Sequence, residues 1–274
     1  MTKNIYGILL PAFIACTAIS CNKDEDTPPP APTVVREWTI PLSAKNEVPA
    51  PARNETGTAT MQLMSDNSVK YTINVTGLAS GDALTAAHLH VGNVITSGGV
   101  ILGLNPVFTG STASGTIAAV RASLIDSLKD NANEIYFNVH STQVPAGLVR
   151  GQLNIGIEMV ADVVLNGANE VPAGTTAATG LATLRLTSDK KLYVKATVTN
   201  IEVLDALTGA HVHAGATGVN GPILVGFYSN AADFGTVKII AVNDANFASL
   251  KADPIYVNVH STTKPLGLIR GQIR

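Results

Sequence analysis

The sequence is poor in cysteine, aromatic residues and charge. It has two cysteines in 274 residues, aromatic residues make up 5% and charged residues 14%, and the formal net charge is −2. That charge balance gives no field of the kind that attracts nucleic acid, so we expect no nucleic-acid partner. Both cysteines lie within the first 21 residues, so neither a disulfide nor a thiolate metal site is available to the rest of the chain.

The sequence also lacks the motifs that identify common classes of enzyme. It contains no G-x-S-x-G elbow, no phosphate-binding glycine loop between a strand and a helix, and no paired-carboxylate motif of the glycosidase type. No cysteine is a candidate nucleophile, since one lies in an apolar leader and the other directly after it. We therefore predict that the protein is not an enzyme.

The N-terminal segment has the pattern of an export signal. Residues 5–20, IYGILLPAFIACTAIS, form an apolar run that is shorter than the ~20 residues needed to span a bilayer. The run ends in AISC, which resembles the lipobox of bacterial lipoproteins. The resemblance implies that residues 1–20 are a signal peptide and that Cys21 is lipidated. An ordinary signal peptide with a chance cysteine is the alternative.

Residues 21–35 are predicted to be a tether. The stretch NKDEDTPPPAPT is acidic and rich in proline, a composition that favours an extended chain over a packed core. Its KDED run also resembles the acidic export signal of some bacterial surface lipoproteins. We therefore predict a protein anchored to the membrane by lipid, in the bacterial cell envelope, at the outer membrane and exposed on the surface. A periplasm-facing anchor is the alternative.

The rest of the chain is one unit repeated. Four motifs occur twice in the same order: NEVPA at 46–50 and 169–173, AHLH at 87–90 and AHVH at 210–213, IYFNVHST at 135–142 and IYVNVHST at 255–262, and GLVRGQL at 147–153 and GLIRGQI at 267–273. A period near 120 residues is long enough for a complete domain. We predict two domains, over 36–156 and 157–274, that touch each other because little linker separates them.

Within each unit, short strands alternate with turns. TATMQLMSDNSVKYTINVTGL has apolar residues at every second position on both sides of the turn SDNS, which is typical of two paired strands. One segment, 121–131, has the apolar spacing of a helix. The pattern predicts an all-β fold: two similar antiparallel β-sandwich domains in tandem, Greek-key-like, with one short helix each.

The four motifs together resemble the CHRD domain, the module named after chordin. N-E-V-P, A-H-x-H, Y-x-N-V-H-[ST] and G-x-[IV]-R-G-Q occur in that order in both units, so the resemblance covers most of the chain. It implies a module of extracellular and bacterial surface proteins, and it implies no particular activity.

All six histidines fall within these motifs. Two residues at i and i+2 of a strand point to the same face, with Cα atoms about 6.5–7 Å apart, so their imidazoles can share a metal ion. The third histidine of each unit lies on another strand, and three neutral imidazoles suit copper or zinc. The sequence thus predicts two metal sites, formed by His88, His90 and His140, and by His211, His213 and His260.

A structural role is the alternative for these histidines. Their ring nitrogens can pair with backbone carbonyls, with Asn138 and Asn258, or with the carboxylates of Glu47 and Glu170. Those carboxylates can instead pair with Arg150 and Arg270, because an unpaired buried charge is costly. The candidates for such supporting roles are Glu47, Glu170, Arg150 and Arg270.

The H-x-H pair is also similar to that of copper–zinc superoxide dismutase. Three histidines per unit are too few for the full copper and zinc set of that enzyme, and the disulfide is missing, so we do not expect dismutase chemistry. Two hypotheses stay open. The favoured one is a surface module that binds an unknown ligand or protein, and the other is a module that binds copper or zinc.

Overall fold

The computed structural model of the protein describes residues 1–2 and 30–274. The predicted signal peptide, Cys21 and most of the predicted tether lie outside the described residues. Residues 32–274 form one compact unit. Within the described part of the chain, no helix is both long and apolar enough to cross a membrane.

Each half of the compact unit contains eight strands and one helix. The first domain consists of β1 (Val34–Ser43), β2 (Thr56–Met64), β3 (Val69–Thr76), β4 (Leu84–Val91), β5 (Val100–Gly103), β6 (Thr112–Ile117), α1 (Ala122–Lys129), β7 (Ile135–Ser141) and β8 (Val149–Gln152). The second consists of β9 (Ile157–Asn166), β10 (Thr179–Thr187), β11 (Lys191–Thr199), β12 (Leu207–Ala214), β13 (Ile223–Tyr228), β14 (Lys238–Ala241), α2 (Asp244–Ala252), β15 (Ile255–Ser261) and β16 (Ile269–Gln272). Short 3-10 helices cover Ala44–Asn46, Gly167–Asn169 and Ala231–Asp233.

The strand order in the first domain is β5-β4-β7-β8-β1-β2-β3-β6, all antiparallel, and the second domain repeats this order with β13-β12-β15-β16-β9-β10-β11-β14. One residue pair, Ser43 with Arg150, joins β1 to β8, and its counterpart is Arg270 with Asn166. Each domain is thus two four-stranded layers connected at one point. The predicted pair of similar antiparallel sandwiches, each with one short helix, is confirmed.

The core of each domain lies between its two layers. Inward-facing residues of β1, β2 and β3 pack against Ala87, Leu89, Phe137 and Val139 of the opposite layer, all of which are fully buried. The second domain has a separate core of the same kind. Because alternate residues of a strand face opposite sides, filling the core with these residues directs their neighbours on β4 and β7 to the outer face.

The two domains touch, as expected from the short connection. A small cluster contains Val94 and Ile95 of the first domain and Tyr193 of the second. The guanidinium of Arg185 is fully buried, forms an ion pair with Asp162 at 2.8 Å, and donates a hydrogen bond to the backbone carbonyl of Glu47 at 3.1 Å. A charged group of the second domain therefore holds the segment after β1 of the first.

Candidate metal centre

The three histidines of the first domain lie on the outer face of β4 and β7. In the register of these strands, His88 lies opposite Asn138, His90 opposite Tyr136, and His140 opposite Ala86. The intervening residues fill the core, so all three imidazoles emerge on the same side. The backbone alone therefore gathers histidines that are 50 residues apart in the sequence.

The imidazoles are close enough to share one ion. One nitrogen from each ring lies within 4.8 Å of the others, both for His88, His90 and His140 and for the second-domain set, His211, His213 and His260. In the first domain His88 Nδ1 is 3.0 Å from His140 Nε2. The ring of His88 is 5.7 Å from that of His90 and 4.9 Å from that of His140. The structure thus brings each predicted trio together, and metal binding by it stays a prediction.

Backbone carbonyls orient two rings of each trio. Nδ1 of His90 donates to the carbonyl of Gly98 at 2.9 Å, and Nδ1 of His140 donates to that of Pro145 at 3.0 Å. A carbonyl only accepts, so Nδ1 carries the proton and the lone pair of a neutral ring is left on Nε2. His213 and His260 make the same bonds, to Gly221 and Pro265. Hydrogen bonds of this kind, from a ring N–H to a backbone carbonyl, fix the tautomer and the ring orientation of histidines that bind metals.

The nitrogens that converge in the second domain have no hydrogen-bond partner. Nδ1 of His211 and Nε2 of His213 and His260 are buried and unpaired among the described residues. In the first domain Nε2 of His90 is likewise unpaired, while His88 and His140 contact each other. Buried polar atoms are nearly always satisfied, so three unpaired nitrogens around one point are the arrangement that a bound cation would satisfy.

Burial also keeps these imidazoles neutral. It lowers the pKa of all six histidines, and neighbouring imidazoles or arginines lower most of them further. The largest shift takes the pKa of His211 to about 4, through burial first and then the adjacent His260 and His213. Since only the neutral ring has a lone pair to give, the sites are in the metal-binding form near neutral pH.

An arginine and a tyrosine extend each trio. The ring of Tyr136 stacks on His90 at 4.9 Å with 9° between planes, and the guanidinium of Arg150 lies 3.5 Å from the centre of the tyrosine ring. Tyr256 and Arg270 repeat the arrangement behind His213. Neither tyrosine was among the residues predicted from the sequence. Their position in Y-x-N-V-H, four residues before the histidine on the same strand face, was the signal that could have found them.

The ion pairs that Glu47 and Glu170 could make with these arginines do not form in the part of the chain that the structure describes. Arg150 instead donates to the backbone carbonyls of Asn93 and Thr96. The carboxylate of Glu47 accepts from Asn138 Nδ2 at 3.3 Å, and Glu170 does the same with Asn258. The alternative in which Glu47 and Glu170 pair with Arg150 and Arg270 is therefore not observed in the described residues. Loop carbonyls, which no motif encodes, and the face of the motif tyrosine contact the guanidinium instead.

The two glutamates also do not touch the histidines through any hydrogen bond found in the described residues. Burial raises the pKa of Glu47 to about 7, against the opposing effects of Arg150 and Asn138. Burial likewise raises the pKa of Glu170 to about 7. Each glutamate thus supports β7 or β15 through an asparagine, two residues before the histidine of that strand.

Comparisons with known proteins agree with this duplicated architecture. The family model described as CHRD domain matches residues 38–153 and, a second time, residues 161–273. Neither a curated protein nor a solved structure matches the chain.

Proposed function

Because the chain belongs to the CHRD domain family and carries two copies of the domain in tandem, we propose that it is a binding module in which each copy holds one metal ion, copper or zinc. The observation that carries the proposal is the convergence of three unpaired, buried ring nitrogens, on His211, His213 and His260. The strands, and the hydrogen bonds from ring nitrogens to backbone carbonyls, already hold the imidazoles in place. Ion binding therefore requires little further ordering of these side chains.

The donor set restricts which ion binds. Three imidazoles with no thiolate and no carboxylate in the cluster suit copper and zinc, and disfavour calcium or magnesium, which take oxygen ligands. Among divalent ions copper binds such nitrogen sites most tightly. His88 and His140 are only half buried, so a fourth position faces solvent and is open to water or a ligand. We propose binding and not catalysis, on the ground that the sequence carries no catalytic motif beyond these histidines.

Metal analysis of purified, untagged protein tests this proposal. We expect two equivalents of copper or zinc per chain after loading and dialysis, one equivalent in His140→Gln and one in His260→Gln, and none when both are changed. Each single variant is the control for the other, because the untouched domain must still bind its ion. If the wild type retains no metal and both variants unfold more readily than it does, the histidines form a structural network instead.

A second function, binding of a surface ligand or a protein, is favoured by an exposed apolar group in the second domain. Val203, Leu204 and Leu266 are each more than nine-tenths exposed, in the loops before β12 and before β16. The first domain has Ser80, Gly81 and Ala146 at the corresponding positions. Exposed aliphatic side chains grouped on neighbouring loops mark interaction sites. The duplication also offers avidity for a repeated ligand.

We propose that lipid on Cys21 anchors the protein to the bacterial envelope, at the outer membrane and facing outward. The sequence AISC and the acidic tether support this, since more than one acyl chain anchors stably. In Cys21→Ala we expect unprocessed precursor or protein released from membranes, measured by fractionation and mass. The matched control is Cys16→Ala, which removes the other cysteine and should leave the protein anchored. A Cys21→Ala protein that is processed and anchored like the wild type would contradict the proposal.

A further inference from the structure

A buried positive charge lies behind each histidine trio. Arg150 and Arg270 are each 1% exposed. Arg150 lies 3.5 Å from the ring centre of Tyr136, and that ring is stacked 4.9 Å from the ring of His90. These two distances place the guanidinium at most about 8 Å from the centre of the His90 ring, so an ion bound to that ring lies on the order of 10 Å from the charge. Arg270, Tyr256 and His213 repeat this geometry.

No carboxylate forms a hydrogen bond or an ion pair with these arginines in the described residues. Arg150 donates to the carbonyls of Asn93 and Thr96 and, at 3.5 Å, to Gln152 Oε1. Arg270 donates to the carbonyls of Ala216 and Val219 and to Gln272 Oε1. All of these acceptors are neutral. Glu47, the acidic group whose charge acts on Arg150, has its pKa raised to about 7 by burial, so it is about half ionised at neutral pH and offsets the arginine charge only in part.

A cation whose charge is offset only in part acts on a bound metal in proportion to the charge of the metal. It repels a doubly charged ion twice as strongly as a singly charged one. The ligands do not offset this effect, because all three imidazoles are neutral and the cluster contains no carboxylate. A built-in charge of this kind lowers affinity for every cation and increases discrimination between them.

Building on the proposed metal function, we propose that each site is selective for copper as Cu(I), and that Arg150 and Arg270 provide the selectivity against Cu(II) and Zn²⁺. The number of ligands does not separate zinc from copper, because zinc also accepts three imidazoles with water in a fourth position, so the assignment rests on the charge of the arginines. The tyrosine places its ring between the two cations and presents a negative face to the guanidinium.

The test uses the full chain with His260→Gln, so that only the first-domain site remains, and compares Arg150→Gln with Arg150→Lys. At an effective dielectric constant of about 20 and a separation of about 10 Å, removing the charge changes affinity by about tenfold for each unit of ion charge. In Arg150→Gln we therefore expect affinity for Cu(I) to rise about tenfold and for Zn²⁺ about a hundredfold. The copper reduction potential should fall by about 59 mV, the equivalent of a tenfold change for one electron. Arg150→Lys should stay near the wild type.

A second pair of variants covers the case in which Arg150→Gln does not fold. Gln152→Glu places a carboxylate beside Arg150 and neutralises the charge without removing the arginine. Gln152→Leu loses the same hydrogen bond, from Nε2 to the Gly92 carbonyl at 2.7 Å, without adding charge. We expect Gln152→Glu alone to lower the potential and raise Zn²⁺ affinity.

The outcomes separate this inference from the proposed function. A protein that binds no copper at all overturns the proposed function. A protein that binds copper, but whose charge-removing variants keep the potential and the Zn²⁺ affinity of the wild type, overturns the selectivity proposal alone. Loss of affinity for both ions together in Arg150→Gln and Gln152→Glu also overturns it, because that result assigns the arginine to holding the loop and not to selecting the ion.

Discussion

Replacing Gly98 with alanine is expected to abolish metal binding by the first domain and leave that of the second intact. A Cβ atom at position 98 would lie 1.8 Å from the carbonyl oxygen of Val91, so the backbone must move. The carbonyl of Gly98 accepts the proton of His90 Nδ1, and its amide donates to the hydroxyl of Tyr136 at 3.2 Å. Moving this residue therefore releases His90 from the tautomer and orientation that direct Nε2 toward the ion.

The neighbouring glycine provides the control. A Cβ atom at Gly99 would meet no heavy atom within 4 Å, so Gly99→Ala makes the same chemical change in the same loop without a clash. Metal analysis should find one equivalent per chain in Gly98→Ala and two in Gly99→Ala. Two equivalents in Gly98→Ala would mean that the loop carbonyl is not needed to orient His90.

Replacing Glu47 with glutamine is expected to stabilise the protein by about 3 kcal/mol at pH 8. The carboxyl is 6% exposed, and burial raises its pKa from 4.5 to about 7. Because the folded-state pKa is the higher one, the stability that protonation contributes is fully present below pH 4.5 and is lost as the pH rises through 7. Above that pH the folded protein holds a buried carboxylate with no ion-pair partner among the described residues.

Glutamine removes this cost and adds a donor. Glu47 Oε1 and Asn138 Oδ1 are both buried acceptors without a partner in the described chain. A side-chain amide at position 47 supplies an N–H that Asn138 Oδ1 can accept, and still offers an oxygen to Asn138 Nδ2. At pH 4.5, where the carboxyl is protonated and can itself donate, the two proteins should differ little.

Urea unfolding at pH 4.5 and pH 8 measures this prediction, as the difference between variant and wild type at each pH. Glu37→Gln, at an exposed position of β1, is the control and should change the free energy of unfolding at neither pH. Glu170→Gln should repeat the effect in the second domain, where the pKa is also raised to about 7. An equal effect of Glu47→Gln at both pH values would show that Glu47 is not protonated in the folded protein.

Much of the fold was predictable because burial on one side leaves a regular pattern. The alternation of apolar and polar residues predicted β2, β3 and the turn between them, and the repeated motifs predicted the second domain. The edge strands β6 (Thr112–Ile117) and β14 (Lys238–Ala241) were missed. Their residues are small or half exposed. An edge strand that packs only partly against the core shows little alternation of apolar and polar residues, so its sequence does not mark it as a strand.

The site was predictable as far as strand geometry determines it. The i, i+2 spacing correctly placed His88 and His90 on one face. The prediction that His140 lies on another strand and joins them is also met, because β7 pairs with β4. The partners of Arg150 were not predictable, because they are backbone carbonyls at Asn93 and Thr96, and any residue type offers a carbonyl. An ion pair with Glu47 was one structural alternative, on the reasoning that a buried charge needs an opposite charge. Here neutral acceptors and an aromatic face satisfy it.

The placement of the histidines on the outer face has a consequence for how duplicated copies diverge. On β4 and β7 the inward residues, among them Leu89 and Phe137, hold the domain together, while the outward residues form the site. Selection can therefore change the outward set of one copy, and even delete its histidines, without touching the packing that folds it. Related chains should include copies in which the inward positions persist and the trio is lost. In this chain both copies keep the trio, as His88, His90 and His140 and as His211, His213 and His260.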